Sequence, residues 1–245
     1  EPYRRQRQMC IRDSYYAVTA MLARVYCWAG EYGNAYKEAK EVVDATYSTG
    51  STSTASCFNF SNSLTTNRKD YNSIIMTFFK STCYEDYLPY MTKGNDVVLV
   101  VNTTNLFGDE AGADDRNLDL FGDWDGGDIK YSFKYDIKEG TSGTDMIPAI
   151  RLSEMYYIMG EYFAYKDEFS KAGEMLDKVR YARGISTTNL ASSIGSLEVF
   201  HTHLIKEMRR EFVGEGQMFF QYKRLDQKPK DNVVFVFDKP NNEDI

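Results

Sequence analysis

Paired carboxylates are the first candidates for catalysis in this chain. Glu154 and Glu161 lie seven positions apart on one face of a predicted helix, which separates them by roughly 10 Å. A retaining glycosidase needs its two carboxyl groups ~5–5.5 Å apart, and an inverting glycosidase needs them ~6.5–9.5 Å apart. This spacing disfavours a hydrolase, and it predicts that each glutamate forms an ion pair with an arginine.

Metal-binding residue types are present, but their spacing is poor. His201 and His203 point about 200° apart on a helix, which favours solvated histidines over a shared metal. Asp123, Asp125 and Asp128 begin like a calcium loop, but no glutamate follows at the closing position. The sequence therefore predicts no metal and no other cofactor, with calcium at this acidic turn as the alternative.

Aromatic side chains are the best candidates for contact with a ligand. Trp124, Tyr84, Tyr87 and Tyr90 lie in a stretch rich in loop-forming residues. Flat aromatic faces match the apolar C–H faces of sugar rings, so these four residues form a candidate sugar-binding set. The alternative is that they pin the loops to the rest of the protein.

Composition excludes several other classes of protein. The 245 residues are 42% hydrophobic and carry a net charge of −7, which predicts a folded chain and disfavours a nucleic-acid partner. The longest apolar runs, such as 97–101, are far too short to cross a bilayer. Four cysteines without paired spacing predict neither a zinc site nor a disulfide scaffold.

Two segments, 14–46 and 150–184, each predict a helical hairpin. Apolar residues recur at steps of three and four, and a polar turn divides each segment into two helices. The two hairpins match at a constant offset of 137 residues: Tyr26 with Phe163, Tyr32 with Phe169, Ala35 with Ala172, and Val42 with Val179. Paired small and aromatic residues of this kind are typical of tetratricopeptide hairpins, so the predicted fold class is mainly α.

The segment between the hairpins, about 48–145, is predicted to be a loop-rich insertion. Short strands or buried segments are expected at 73–79 and 96–101, with acidic turns at 108–115 and 122–128. Strand is expected to be minor and confined to this insertion. Binding surfaces usually lie on loops held by a rigid frame, so the ligand site is expected here.

The stretch MRREFVGEGQMFFQYKRL predicts two helices that meet at a corner. Gly214 and Gly216 end the first helix and allow a tight turn. Arg210 is expected to form a buried or half-buried ion pair with Glu207 or Glu211. The aromatic residues of the corner are expected to be mostly buried: Phe212, Phe219 and Phe220.

The first thirteen residues differ from the rest of the chain. Residues 1–13 are rich in arginine and resemble translated sequencing-adapter sequence. They are expected to be a non-native leader, with a single domain over 14–245. The natural protein is then expected to begin further upstream.

Three motifs resemble those of the SusD/RagB family, in the family's order. They are IRLSEMYYIMGE with Arg151, Glu154 and Glu161; LDKVRYARG with Arg180; and EMRREFVGEG with Glu207, Arg210, Glu211, Glu215 and Gly216. The resemblance covers nearly everything from residue 14 onward. It is to the C-terminal half of the family, and it implies that these motif residues are structural.

The resemblance also implies a fold and a function. The expected fold is a SusD-like α/α superhelix, and the expected protein is a non-enzymatic lipoprotein on the outer membrane of a Gram-negative bacterium. Such a protein binds an oligosaccharide and passes it to a TonB-dependent SusC-like transporter, and its only membrane contact is a lipid anchor. The alternatives are a peptide-binding RagB-like protein and a tetratricopeptide-like scaffold, although a scaffold would show contiguous repeats.

Overall fold

The computed structural model describes residues 2–49, 53–91, 98, 100–123, 126–135 and 146–225. Its helices are α1 Pro2–Trp28, α2 Tyr32–Val43, α3 Cys83–Met91, α4 Thr103–Phe107, α5 Asp115–Leu120, α6 Leu152–Ala164, α7 Phe169–Ala182, α8 Leu197–Glu211 and α9 Met218–Arg224. Its strands are β1 Thr46–Ser48, β2 Thr54–Ser56, β3 Ile74–Phe79, β4 Val100–Asn102, β5 Phe121–Asp123, β6 Ile129–Ser132 and β7 Met146–Arg151. The predicted mainly α fold class is confirmed.

The two predicted hairpins, α1–α2 and α6–α7, repeat each other down to the backbone of their turns. Gly30 and Asp167 occupy the same left-handed position, with φ of +77° and +60°. The next residues, Glu31 and Glu168, share nearly the same conformation, with φ, ψ of −84°, 59° and −88°, 58°. The offset of 137 residues therefore describes a true structural repeat.

The second hairpin packs on the first through α6 and α2. Ala35 and Ala39 of α2 are fully buried against Met155 and Ile158 of α6. Small side chains on α2 leave room for the long side chains of α6, and this close fit excludes water from the contact. Two tyrosine stacks extend it, Tyr36 on Tyr162 at 4.3 Å and Tyr32 on Tyr165 at 3.9 Å between ring centroids.

Strands form three small antiparallel sheets. β1 pairs with β2, β3 with β7, and β6 lies between β4 and β5. The strand predicted at 73–79 is present as β3, and the one predicted at 96–101 is described only from Val100 as β4. The confinement of strand to 48–145 is wrong, because β7 lies beyond it. β7 is extended because it pairs with β3, from Ile74 opposite Arg151 to Phe79 opposite Met146. This long-range pairing outweighs the helical pattern predicted from residue 150 onward, so the helix begins only at Leu152.

The insertion also holds two short helices, α4 and α5, which lie on either side of the acidic turn predicted at 108–115. The Asn102 side chain accepts from Asn105 N at 2.9 Å and begins α4, while the Asp114 carboxylate accepts from Arg116 N at 3.0 Å and begins α5. Asparagine and aspartate are preferred at this position because they satisfy exposed amides of the first helical turn. Asp114, at the end of the predicted turn, therefore also begins the helix that follows it.

The predicted corner after α8 is present, but its aromatic residues are not all buried. Gly214 and Gly216 have φ of +74° and +70°, and Phe212 is buried. Phe219 and Phe220 are 72% and 53% exposed, so their predicted burial is wrong. The reason lies in α9, which turns Met218, Tyr222 and Leu225 towards the core and Phe219 and Phe220 away from it.

Candidate functional site

Residues of the EMRREFVGEG motif lie at the centre of a buried ionic cluster between α5 and α8. Arg116 donates from Nη2 to Asp114 at 2.7 Å and to Glu207 at 3.0 Å, and from Nη1 to Glu211 at 3.1 Å. Arg210 donates from Nη1 to Glu207 at 2.9 Å. All five side chains are buried, so the expected ion pair of Arg210 with Glu207 is present in its buried form.

Helix α7 adds two arginines to this cluster. Arg183 donates from Nη2 to Glu211 at 2.5 Å and to Asp70 at 2.7 Å. Arg180 donates from Nη2 to Glu110 at 2.8 Å. We call the whole set the ionic cluster: Asp70, Glu110, Asp114, Arg116, Asp177, Arg180, Arg183, Glu207, Arg210 and Glu211.

Glu215, at the corner between α8 and α9, extends the ionic cluster to the strands. Its Oε1 accepts from Lys134 Nζ at 2.6 Å and from Arg151 Nε at 2.8 Å. Arg151 also donates from Nη1 to the carbonyl oxygen of Lys69 at 2.6 Å. The left-handed backbone of Gly216 turns the chain immediately after this buried carboxylate. Charge pairing thus fixes the corner against β7 and the end of β6.

Glu154 and Glu161 are each held by one arginine, as their spacing predicted. Arg24 Nε and Nη2 donate to the two oxygens of Glu154, both at 2.6 Å. Arg224 Nη1 and Nη2 donate to the two oxygens of Glu161 at 2.6 and 2.7 Å. These bidentate pairs connect α6 to α1 and to α9. Both carboxylates are buried and engaged, which supports a structural role over that of a hydrolytic pair.

Arginines keep the carboxylates of Glu211 and Glu110 ionised. Burial alone would raise the pKa of Glu211, but Arg183 and Arg116 outweigh it and lower that pKa. Burial likewise opposes ionisation of Glu110, yet hydrogen bonds from Arg180 and Arg210 lower its pKa to about 2. Stability therefore depends on carboxylates that stay charged in the folded protein.

The lowered carboxylate pKa values predict a loss of stability in acid. The ordinary pKa of Glu110 is 4.5 and its folded value is about 2. Its stabilising contribution is complete above pH 4.5 and is lost as the pH falls towards 2, because the unfolded chain takes up the proton first. We expect the melting temperature, followed by circular dichroism, to fall by at least roughly 5 °C across this window. Glu110→Gln should make the fall shallower, and a melting temperature independent of pH between 5 and 2 would contradict the assignment.

The structure gives the predicted ligand-binding aromatics different environments. Tyr84 is half-buried and Tyr90 is 49% exposed, both on α3. Tyr87 stacks on the buried ring of Tyr135 at 4.6 Å, so one of its faces is covered and it pins α3 to the chain after β6. Trp124 lies outside the described residues, directly after Asp123 at the end of β5. Tyr90 is the described candidate with the most accessible ring.

The histidines and the acidic turn do not form a metal site in the described part of the chain. His201 is buried, edge-on against Tyr165 at 5.8 Å between ring centroids, and His203 is half-buried, so their predicted solvation is wrong. They lie on a helix that packs against the hairpins, which covers them. Asp128 accepts from Thr104 Oγ1 at 2.7 Å, and Asp125 lies outside the described residues. Within the described ranges no three histidine, cysteine, aspartate or glutamate side chains are placed to hold a metal ion.

Several partners of the buried ionic residues were not found from the sequence. Asp70, Glu110 and Asp114 come from the insertion, and Arg24 comes from α1. They stand many residues away from the charges they pair with, so no local spacing points to them. The one local signal was Asp114, whose side chain caps α5 two residues before Arg116.

A family model for the SusD family matches residues 23–242. The match contains all three motifs and the whole second hairpin, α6–α7, which carries the first two of them. The chain therefore belongs to the SusD family. Among curated protein sequences, no relative matches the chain.

Solved structures with the same fold are SusD-like. A SusD superfamily protein from Bacteroides thetaiotaomicron is 24% identical with a TM-score of 0.63, over 87% of this chain and 50% of that protein. A SusD-like carbohydrate binding protein from Bacteroides vulgatus is 20% identical with a TM-score of 0.59, over 86% and 45%. A laminarin binding SusD-like protein is 17% identical with a TM-score of 0.56, over 86% and 54%. The chain thus spans about half the length of these proteins.

The described helices do not meet the requirements of a membrane span. None of them combines the length and the apolar character that crossing a bilayer requires.

Proposed function

We propose that this chain is part of a surface glycan-binding protein that captures an oligosaccharide and passes it to a TonB-dependent SusC-like outer-membrane transporter. Its membership of the SusD family over residues 23–242 carries the proposal. The full-length protein is held at the surface of a Gram-negative cell by a lipid anchor. Residues 14–245 act as one domain that contributes the C-terminal part of the binding protein.

Binding without catalysis is supported by the state of the acidic residues. The buried motif glutamates are ion-paired to arginine or lysine, as in Glu154 with Arg24 and Glu215 with Arg151. A general acid or base must reach the substrate and exchange a proton with it, whereas these carboxylates are enclosed and held by basic side chains. An oligosaccharide ligand is favoured because two solved proteins of this fold are named for binding carbohydrate and laminarin.

The insertion is the proposed place of the ligand. The two hairpins bury one another along α2 and α6. The buried side of α8 is occupied by residues of the ionic cluster. Tyr90 offers an exposed ring on α3. Trp124 has Asp123 and Asp125 as its neighbours along the sequence, and their carboxylates can accept hydrogen bonds from sugar hydroxyls. Aromatic faces with polar neighbours are the usual means of holding a sugar.

Affinity electrophoresis of the full-length protein tests the proposed function. Laminarin and a panel of other soluble polysaccharides are cast into native gels, and a peptide library is screened in parallel by calorimetry. We expect at least one polysaccharide to retard the protein and no shorter sugars to be released. Binding of peptides alone would favour the RagB-like alternative, and release of shorter sugars would overturn the assignment as a non-enzymatic binding protein.

Trp124→Ala is expected to weaken binding of the retained polysaccharide about tenfold. Aromatic stacking contributes ~1–2 kcal/mol by analogy with base stacking, and tenfold corresponds to ~1.4 kcal/mol. Isothermal calorimetry on a defined oligosaccharide from that polysaccharide measures the change. Tyr181→Ala is the matched control, since Tyr181 is an exposed aromatic residue on α7, outside the insertion. Unchanged affinity in Trp124→Ala would remove this residue from the site.

A further inference from the structure

The insertion carries the whole net charge of the chain. Residues 48–145 hold fifteen acidic and eight basic side chains, a net charge of −7. The remaining residues hold twenty-one of each sign and are neutral in sum, so the chain's net charge of −7 resides in the insertion. A region with one sign of charge attracts ions of the opposite sign and repels ions of its own sign. The part of the chain in which we place the ligand therefore repels anions.

Four basic side chains of the insertion are engaged within the protein. Arg116 and Lys134 are buried, each with a carboxylate oxygen within 2.7 Å of its charged nitrogen. Lys69 is buried as well and donates to a backbone carbonyl oxygen at 3.0 Å. Arg68 is half-buried, with its guanidinium 4.6 Å from the centroid of a phenylalanine ring. These four cations are committed to contacts inside the protein.

The other described basic side chains of the insertion stand beside carboxylates. Lys80 is exposed, and its Nζ lies 2.5 Å from Asp86. Lys130 is half-buried, and its Nζ lies 3.8 Å from Asp123. Two further basic residues lie outside the described residues: Lys93 and Lys138. In the described part of the insertion, every lysine and arginine is thus buried, covered by a ring or placed beside a carboxylate.

Carboxylates, in contrast, remain exposed on the insertion. Glu85, Asp109 and Asp128 are exposed, and Glu85 belongs to the same helix, α3, as the exposed ring of Tyr90. A carboxylate accepts hydrogen bonds from sugar hydroxyl groups. A carboxylate or sulfate group on a sugar is instead recognised by arginine or lysine. The surface thus offers partners to hydroxyl groups and repels acidic groups.

We propose that the ligand is an uncharged polysaccharide, whose sugars carry hydroxyl groups but neither carboxylate nor sulfate. This rests on the proposed function, since it names the class of glycan that the insertion holds. Hydroxyl groups meet the exposed carboxylates, and the apolar C–H faces of the sugars meet the aromatic rings. A glycan with ammonium groups suits the surface less well, because Lys80 and Lys130 lie beside Asp86 and Asp123 and repel a further cation.

Derivatives of one polysaccharide that differ in charge test the proposal. Laminarin, amylopectin and galactomannan are each cast into native gels unmodified, acetylated and sulfated to the same degree, and the full-length protein is run through them. We expect at least one unmodified polysaccharide to retard the protein. Its sulfated form should bind about tenfold more weakly than its acetylated form at ~20 mM NaCl. The difference should shrink at ~500 mM NaCl, because salt screens exposed charges.

Charge reversal on the insertion tests the physical cause. Glu85→Lys with Asp109→Lys should reduce the difference between the acetylated and sulfated forms about threefold or more. The matched control is Glu174→Lys with Glu198→Lys, which makes the same change in net charge at exposed positions on α7 and α8. Equal effects of the two pairs would show that the charge of the insertion does not select the ligand.

Acidic and basic polysaccharides separate this inference from the proposed function. Alginate, polygalacturonate and chitosan are run in the same gels, with and without EDTA. If one of them is the best ligand, with or without a bound cation, the protein is still a glycan-binding protein but the assignment of an uncharged ligand is wrong. If no polysaccharide retards the protein, the proposed function fails and the assignment of the ligand fails with it.

Discussion

Replacing Arg210 by methionine is expected to reduce the free energy of unfolding by about 3–5 kcal/mol. Arg210 is fully buried, and its guanidinium donates to Glu110 at 2.7 Å and to Glu207 at 2.9 Å. It also donates to the carbonyl oxygens of Leu106 and Phe107, at 3.1 and 2.8 Å. Methionine keeps most of the volume but none of these donors, so the carboxylates lose a counter-charge and the two carbonyls lose a partner.

Urea unfolding at pH 7, followed by circular dichroism, measures this change. Lys171→Met is the matched control, because Lys171 pairs with Glu168 on the surface, where both side chains are well exposed. An exposed pair of this kind contributes at most ~1 kcal/mol. Equal effects of the two substitutions, or no effect of Arg210→Met, would show that the ionic cluster does not hold α8 against α4.

Replacing Arg224 by methionine is the second change expected to have a large effect, again about 3–5 kcal/mol. Arg224 donates to both oxygens of Glu161, a carboxylate with no exposure to solvent. The substitution leaves this charge buried beside Cys27, whose thiol supplies little compensation. Faster amide exchange across α9 should accompany the loss, because the pair joins α9 to α6.

A second substitution separates the buried charge from loss of packing. Glu161→Gln in the Arg224→Met background removes the unpaired carboxylate and should recover roughly half or more of the lost stability. If the double variant is less stable than Arg224→Met, the cost lies in the packing of α9 and the account of Glu161 is wrong. Arg209 is unsuitable as a control, since it lies next to Arg210 and is itself partly buried.

Local features of the fold were predictable because they are properties of short stretches of chain. The three- and four-residue spacing identifies both hairpins, and their common offset holds as far as Gly30 and Asp167, which share one backbone conformation. Gly214 and Gly216 mark the corner because glycine adopts positive φ without steric cost. The helical spacing and the glycine corner each depend on residues within about one helical turn or one tight turn of each other, and the offset compares two such local patterns.

Only the tertiary structure decides which residues form the ion pairs. The motifs carry the arginines, but Arg183 meets Asp70 and Arg210 meets Glu110 only after the insertion has folded onto α7 and α8. Any of the chain's acidic residues has the right charge for these roles. The distance to the arginine and the burial of the side chain decide which acidic residue becomes the partner. Neither quantity can be read from the order of the residues. The same holds for β7, which is extended because β3 lies beside it.

The sequence by itself determined that the segments of α1 and α9 are helical, and the tertiary structure decided which of their sides is covered. In α9 the core receives Met218 and Tyr222 while Phe219 and Phe220 face outwards, since Arg224 must reach Glu161. In α1 the small residues face α2 and the large ones face outwards. Periodicity measures only the contrast between two sides of a helix. The side that becomes buried depends on the shape and charge of the neighbour that meets it.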